Sequence, residues 1–192
     1  MSNEIFVIGT GRCGSTLISN ILNQHPDVLS LSEFFTFVTD LGTLIPQAFP
    51  AMEIDGEQFW QIISGTYAKQ NIMLAHDIAM KEVLYPFKTG VRFNASTGVP
   101  AILQTTLPNL TPECDALFDQ IHAVMATRGM AAAEAHYHAL FGWLAAYFGK
   151  SIWVERSGGS LRVIERLYQH FPNANFLHIV RDGRDCALSM QR

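Results

Sequence analysis

The chain has 192 residues, of which 48% are hydrophobic and 16% are charged, and its formal net charge is −4. This composition excludes a disordered chain, because the apolar fraction is large enough to build a core. The excess of acidic over basic residues argues against a nucleic-acid-binding protein, which usually carries a basic field.

The first predicted elements are a buried strand at residues 4–8 and a helix at residues 15–24. The strand is continuously apolar and contains β-branched residues. Pro26 ends the helix, and residues 28–31 are consistent with a second short strand. Four residues at helical spacing form the predicted apolar stripe of the helix: Leu17, Ile18, Ile21 and Leu22.

The middle of the chain, from about residue 40 to 150, shows no convincing strand and is predicted to be a helical insertion. Residues 87–112 are rich in glycine, proline, threonine and asparagine, so they are predicted to be mostly loop. An N-cap signature at residues 111–113 opens one of the helices. Helical segments are expected at 56–70, 111–129 and 130–150.

Strand-like sequence returns at residues 151–155 and 175–180, and a helical segment at 160–170 separates these two strands. Another helix begins near residue 185. Buried strands that alternate with helices indicate an α/β fold with a central parallel sheet, here as a single domain over residues 1–192. Ligands of such a fold bind at the carboxyl ends of the strands.

The segment "GTGRCGST" joins the first strand to the first helix and has the composition of an anion-binding turn. Its glycines at positions 9, 11 and 14 match the dinucleotide pattern G-x-G-x-x-G. They also nearly match the P-loop, except that Ser15 stands where the lysine belongs. Backbone N–H groups and the helix N-terminus favour a phosphate there, and Arg12, Ser15 and Thr16 add donors.

Three interpretations of this turn stay open on its sequence alone. Glu33 lies 24 residues after Gly9, where a ribose-binding acid of a dinucleotide fold would stand, but no regular βαβαβ pattern follows. A classical P-loop lacks its lysine, although Arg12 supplies a cation inside the loop. A turn that merely connects a strand to a helix is the third interpretation.

A second polar cluster follows the strand at residues 175–180. Arg181 stands at the carboxyl end of that strand, and Ser189 lies eight residues later on the next helix. An arginine and a serine in this arrangement can converge on one phosphate. The alternative is a solvated surface turn in which Arg181 pairs with Asp185.

Together the segments "GTGRCGSTLISNILNQHPDV…SEFF" and "FPNANFLHIVRDGRDCALSM", with "SIWVERSGGSLRVIERLYQHFP" preceding and overlapping the second, resemble the sulfotransferase superfamily. The resemblance covers about 33 residues at the front and about 40 at the back. It implies 3′-phosphoadenosine 5′-phosphosulfate (PAPS) as the co-substrate, with Arg181 and Ser189 on its 3′-phosphate. The residues implied to hold the 5′-phosphosulfate are Gly11, Arg12, Cys13, Gly14, Ser15 and Thr16.

Closer similarity runs to the bacterial and tyrosylprotein branches of that superfamily. There a glutamate after the "HPDV" segment is the general base for the acceptor, and Glu33 occupies its place, with Ser32 where glycine is common. Arg156 matches a cation that contacts the leaving phosphate. This chain has "ERSGGS" where a lysine-proline motif is common, so the proline is missing. Arg12, Glu33 and Arg156 are thus the implied catalytic residues.

Several further expectations follow. No Cys or His spacing indicates a metal site. The acceptor is expected to be a hydroxyl of a small molecule or peptide, or an amine. Trp153 is expected to belong to the core. Four histidines are not expected to be catalytic because no acid is seen to orient them: His76, His122, His136 and His138.

Competing functions are a nucleotide-dependent phosphotransferase, an NAD-binding Rossmann oxidoreductase and a non-catalytic nucleotide-binding fragment. The last is considered because chains of the superfamily normally run further than Arg192, so the sequence is expected to be incomplete at its C-terminus. Three separated cysteines indicate free thiols and a cytoplasmic protein. No membrane span is expected, and a homo-oligomer remains open.

Overall fold

The computed structural model describes residues 3–76, 78, 83–86 and 91–191, and its centre is a parallel β-sheet. The described strands are β1 (Glu4–Gly9), β2 (Val28–Ser32), β3 (Ile152–Arg156) and β4 (Asn175–Ile179). They pair in the order β2-β3-β1-β4, and every pairing is parallel. Helices flank the sheet, so the predicted α/β class is confirmed.

The described helices separate into those near the four strands and those of the long segment between β2 and β3. Two compact units are distinguished, one of residues 1–36 with 137–192, which holds the sheet, and one of residues 37–136, which is helical. In the described ranges the helices are α1 (Ser15–Leu22), α2 (Phe34–Val38), α3 (Ile45–Ala48), α4 (Gly56–Ile63), α5 (Ala68–Ala75), α6 (Ala101–Gln104), α7 (Thr106–Leu110), α8 (Cys114–Met125), α9 (Ala133–Tyr147), α10 (Ile164–His170) and α11 (Gly183–Met190).

The core of the sheet-containing unit has two different faces because side chains alternate along each strand. Val7, Val28 and Val154 form one face, against which Ile18 and Leu22 of α1 pack. The ring of Phe6 lies on the other face, in an aromatic cluster. Its ring neighbours are Phe35, Trp153, Phe171 and Phe176. Trp153 is buried in this cluster, so its expected place in the core is confirmed.

Helix α1 turns a different face to the sheet than its apolar stripe predicts. Leu17 and Ile21 are 64% and 57% exposed, whereas Ser19 is buried. The Ser19 hydroxyl lies 2.7 Å from that of Ser30 on β2, so a serine occupies a core position by sharing hydrogen bonds. The predicted stripe was wrong at Leu17 and Ile21. The buried face of the helix includes Ser19, and a serine is not recognised by a search for apolar residues at helical spacing.

Strand β4 is predicted to be buried but has mostly exposed and half-buried residues. It pairs with β1 on one side and is the last strand of the order β2-β3-β1-β4. Leu177 is 48% exposed, whereas β2, at the other end of the same order, is buried throughout. The apolar run at residues 175–180 indicated a strand correctly, but it does not tell a central strand from an edge strand.

The segment between β2 and β3 is helical, as predicted, but divides differently. The helix expected at 56–70 is split into α4 and α5 around Gly65, whose carbonyl accepts the Ala101 N–H. The expected loop at 87–112 contains α6 and α7, while its residues 87–90 lie outside the described ranges. In the described part of this segment, β-structure is limited to one isolated bridge, between Ile54 and Ala131.

The helices in the described ranges can be judged against the roughly 20 apolar residues that a membrane-spanning helix needs. Within those ranges, no helix combines the length and the apolar character that crossing a membrane requires.

Candidate functional site

The polar residues singled out from the sequence stand where the four strands end. Glu33 follows β2, Arg156 is the last residue of β3, residues 10–14 follow β1, and Arg181 follows β4 by two residues. Because the strands are parallel, these ends lie at one edge of the sheet. In the strand order β2-β3-β1-β4, the groups along this edge are Glu33, Arg156, the glycine-rich loop and Arg181.

The loop after β1 presents an uncapped helix N-terminus. Gly14 is the N-cap residue of α1, with a φ of 99°, and within the described residues no side chain caps the helix there. The first-turn N–H groups of a helix have no intrahelical acceptor, and they carry partial positive charge. Ser15 is buried in that turn and Thr16 is exposed. The loop can therefore receive an anion at its backbone.

Gly9 allows the loop to fold tightly over the end of β1. A Cβ at this position would lie 2.7 Å from the Cys13 sulfur and 3.1 Å from the Ile179 carbonyl oxygen. The Gly9 N–H donates to the Ser160 hydroxyl at 3.1 Å. Cys13 is thus a buried thiol beneath the loop, and its contribution to an anion site is limited to its backbone N–H.

The two predicted phosphate motifs contact each other. Arg12 donates from Nε to the Ser189 hydroxyl at 3.1 Å, across 177 positions of sequence. Arg181 donates from Nη1 to the Arg12 carbonyl at 3.2 Å. The Cys186 thiol, one turn before Ser189, lies 3.8 Å from the same carbonyl. Three predicted ligands therefore surround one exposed place beside the loop.

The surface-turn alternative for this region required a pair between Arg181 and Asp185. The ion pair in this turn joins two other residues, Asp182 and Arg184, at 2.7 Å. Hydrogen bonds from the Arg184 side chain and backbone hold the pKa of Asp182 below its ordinary value. Arg181 is directed to the loop, so its position agrees with an anion-binding role.

Glu33 and Arg156 form a buried ion pair at the β2–β3 end of the edge. Arg156 donates from Nη1 to Glu33 Oε1 and from Nη2 to the Ser32 hydroxyl, the latter at 3.1 Å. Glu33 Oε2 accepts from the Thr36 hydroxyl at 2.7 Å and from the Gly158 N–H at 2.9 Å. Glu33 has a φ of 59°, a left-handed conformation that is uncommon for a residue other than glycine.

The turn after β3 lies between this ion pair and the loop. Gly158 donates to Glu33, and its carbonyl oxygen lies 3.8 Å from a Cβ built on Gly11. Ser160 accepts from Gly9. Sequence reasoning did not assign roles to Gly158 or Ser160. Both residues follow a buried strand, as other site residues do, and this position in the sequence could have indicated a role in the site.

Glu155 is a further site residue that the sequence analysis did not identify. It is fully buried on β3, and its Oε1 accepts from the Phe35 N–H at 3.3 Å and from the Ser157 hydroxyl at 2.5 Å. Burial, with the nearby Glu33 charge, raises the pKa of Glu155 to about 8, against the opposing effect of its hydrogen bonds and Arg156. An acid within a buried strand is rare, and that rarity was the missed signal.

The family of the chain follows from its similarity to known proteins. A family model described as "Sulfotransferase family" matches residues 4–192. The chain belongs to the sulfotransferase family. No curated protein and no solved structure matches it. Family membership makes sulfuryl transfer its class of reaction, and the matched range includes every candidate site residue.

Two histidines of this sulfotransferase-family chain have acid partners, contrary to expectation. His122 Nε2 lies 3.0 Å from Glu57, and His138 Nδ1 lies 2.6 Å from Glu4. His136 is buried, and its ring contacts the Arg128 side chain and the Ile54 carbonyl. The described residues contain no group of three or more His, Cys, Asp or Glu side chains suited to a metal ion.

In the loop after β1 of this sulfotransferase-family chain, replacement by alanine is expected to cost more stability at Gly14 than at Gly11. Gly14→Ala is expected to lower the free energy of unfolding by about 1–2 kcal/mol, because φ is 99° there. Gly11→Ala is the matched control: Gly11 lies outside the left-handed region, and the added Cβ would meet Gly158 O at 3.8 Å. Urea unfolding of both variants measures the difference, and equal losses would contradict the assignment.

Proposed function

We propose that this chain transfers a sulfuryl group from PAPS to a hydroxyl or amine acceptor. The observation that carries the proposal is the order of side chains along the sheet edge. A carboxylate, a cation, an anion-binding loop and an arginine with a serine follow one another from β2 to β4. The edge spans three strand spacings, roughly 15 Å. A nucleotide with phosphates at both its 5′ and 3′ positions suits two cationic places on neighbouring strands, the loop after β1 and Arg181 after β4.

The proposed orientation of PAPS follows from this order. The 5′-phosphosulfate lies on the loop, against Gly11, Arg12, Cys13, Gly14, Ser15 and Thr16. Its 3′-phosphate lies on the β4 side, where Arg181 and Ser189 meet Arg12. The sulfuryl group then points towards β2, where Glu33 and Arg156 stand.

In the proposed reaction, the acceptor oxygen or nitrogen attacks sulfur in line with the bond to the 5′-phosphate oxygen. The new bond to sulfur forms as that sulfur–oxygen bond breaks, and adenosine 3′,5′-bisphosphate leaves. Glu33 takes the acceptor proton. Arg12, Arg156 and the loop N–H groups stabilise the negative charge that develops on the leaving phosphate.

The hydrogen bonds of Glu33 favour one oxygen for the proton. Oε2 already accepts from the Thr36 hydroxyl and the Gly158 N–H, which fills its two acceptor positions. Oε1 accepts from Arg156 and keeps one position. We therefore assign the transferred proton to Oε1.

The proposal also covers the branch of the superfamily to which the enzyme belongs and the cellular compartment in which it works. The Glu33 and Arg156 pair supports a place in the bacterial and tyrosylprotein-like branch. The three cysteines are buried free thiols, which supports a cytoplasmic location, and the proposed reaction uses no metal. A single catalytic domain and a small-molecule or peptide acceptor are part of the same proposal, and assembly into a homo-oligomer stays open.

A thermal-shift experiment tests the nucleotide. At a concentration of about 100 times its dissociation constant, adenosine 3′,5′-bisphosphate is expected to raise the melting temperature by about 5–10 °C. ATP and NAD are expected to give much smaller shifts, because they lack the 3′-phosphate that Arg181 and Ser189 would bind. Stabilisation by NAD alone would overturn the proposal.

A variant pair sharpens this test. Arg181→Ala is expected to remove most of the shift with the bisphosphate, since it deletes the cation at the 3′-phosphate place. Arg166→Ala is the matched control, because Arg166 is an exposed arginine on α10. Equal shifts for Arg181→Ala and Arg166→Ala would place the 3′-phosphate elsewhere.

A further inference from the structure

The first turn of α2 is attached to β3 by side chains that the proposed reaction does not use. The Phe35 N–H donates to Glu155 Oε1 at 3.3 Å, and the Thr36 N–H donates to the Ser157 hydroxyl at 3.1 Å. Ser157 donates in turn to Glu155. The first N–H groups of a helix lack intrahelical acceptors, so these two side chains satisfy donors that would otherwise be unpaired.

Glu33 immediately precedes this turn and depends on it for its conformation. Its φ of 59° is unfavourable for a residue with a side chain, so surrounding contacts must hold it. The Glu33 N–H donates to the Arg156 carbonyl at 2.6 Å, and the Thr36 hydroxyl donates to Glu33 Oε2. Thr36 is thus held by Ser157 through its backbone and holds Glu33 through its side chain.

We propose that Glu155 and Ser157 are positioning residues for Glu33, which they hold in its left-handed conformation by capping the first turn of α2. The proposal rests on the proposed function, because it assigns the purpose of the network to the base of the sulfuryl transfer. Neither residue touches substrate. They act through the Phe35 and Thr36 N–H groups.

The charges of the network give this arrangement a dependence on pH. The charged groups that act on Glu155 are Glu33, from the segment after β2, and Arg156, its neighbour on β3. One arginine balances one carboxylate, so the network is neutral when Glu155 carries a proton. Burial raises the pKa of Glu155 to about 8, and ionisation above that pH adds a second negative charge that competes with Glu33 for Arg156.

The sign of the effect on stability follows from the same shift. The pKa of Glu155 rises from an ordinary value of 4.5 to about 8 in the folded chain. Its contribution to stability is therefore fully present below about pH 4.5 and is lost as the pH rises through 8. Glu155→Gln cannot ionise, so the melting temperature of this variant should lack that decline.

The test compares turnover of radiolabelled PAPS, with water or a simple phenol as acceptor, between pH 6 and 9. Wild-type turnover is expected to decline on the alkaline side, and Glu155→Gln is expected to move that decline upwards by at least one pH unit. Ser157→Ala and Glu155→Leu are expected to lower kcat by about tenfold or more while the shift with adenosine 3′,5′-bisphosphate is kept. Glu165→Gln, an exposed acid on α10, is the matched control.

An unchanged alkaline decline in Glu155→Gln, or a kcat of Ser157→Ala equal to that of Glu165→Gln, would overturn the positioning role. Failure of the proposed function looks different, since wild type would then show neither PAPS turnover nor stabilisation by the bisphosphate. In that case a double-mutant cycle decides the positioning role without any substrate. Melting-temperature shifts of Glu33→Gln and Ser157→Ala that simply add would refute it, and non-additive shifts would support it.

Discussion

Replacing Glu33 by Gln is expected to lower kcat for sulfuryl transfer by about 10²- to 10⁴-fold, the usual contribution of a general base. Gln has nearly the same size, but its amide has one oxygen acceptor where the Glu33 carboxylate has two, and it cannot take the proton of the acceptor substrate. The measurement is the initial rate with PAPS and a set of acceptors that includes a phenol, a sugar and a tyrosine-containing peptide. Retained activity with the best acceptor would remove Glu33 as the base.

The same variant should bind the nucleotide normally. Glu33 stands beyond Arg156 at the β2 end of the sheet edge, whereas the proposed phosphate contacts are on the loop and near β4. The melting-temperature shift with adenosine 3′,5′-bisphosphate is therefore expected to match that of wild type. Glu165→Gln controls for loss of an acid elsewhere. A lost shift would mean that Glu33 acts on nucleotide binding or on folding.

Glu155 should compensate in part for the missing charge of Glu33→Gln. The Glu33 carboxylate contributes to the raised pKa of Glu155, and Arg156 opposes that rise. With Glu33 neutral, Glu155 becomes the nearest counter-charge for Arg156, so its pKa should fall. This compensation gives a reason to expect that Glu33→Gln folds, since Arg156 keeps a buried partner.

Replacing Arg156 by Met is expected to lower the free energy of unfolding by about 3–5 kcal/mol, the usual cost of removing one partner of a buried ion pair. The side chains of Arg156 and Glu33 are only 6% and 7% exposed, so water cannot replace the lost partner. Glu33 would lose its cation, and Arg156 would no longer oppose the raised pKa of Glu155. Urea unfolding at pH 7.5 measures the loss.

Two comparisons separate the ion pair from simple loss of packing. Adding Glu33→Gln to Arg156→Met should recover part of the stability, because the unpaired charge is removed. Arg166→Met changes an exposed arginine in the same way and is expected to have an effect within about 0.5 kcal/mol. A loss of stability that Glu33→Gln does not reduce would contradict the assignment.

The parts of the fold that depend on local pattern were predictable. The strands near residues 4–8, 28–31, 151–155 and 175–180 all exist, since continuous apolar runs bounded by turns are a strong signal. Their parallel pairing followed from alternation with helices. The order β2-β3-β1-β4 and the exposed position of β4 were not predictable, because both depend on pairing between distant segments.

The residues of the candidate site also divide into those that could be predicted from the sequence and those that could not. Five residues were singled out because they resemble family motifs: Arg12, Glu33 and Arg181 after strands, Arg156 at the end of β3 and Ser189 on α11. The structure brings Arg12 to Ser189 and Glu33 to Arg156. Their roles remain proposals. Glu155 and Ser157 were missed because their importance lies in hydrogen bonds to backbone N–H groups more than 100 positions away. No local pattern reports such a partner.

Strand order also determines when the site can assemble. Strand β3 lies between β1 and β2, so the two N-terminal strands have no direct pairing and meet only through a segment made more than 100 residues later. The Glu33–Arg156 pair closes a loop of 123 residues, and the Arg12–Ser189 contact closes one of 177. Closing loops this long slows folding, since the entropic cost comes before the contacts form. During synthesis the N-terminal strand–helix–strand segment must therefore wait for β3, with its apolar strands exposed to chaperones or to aggregation.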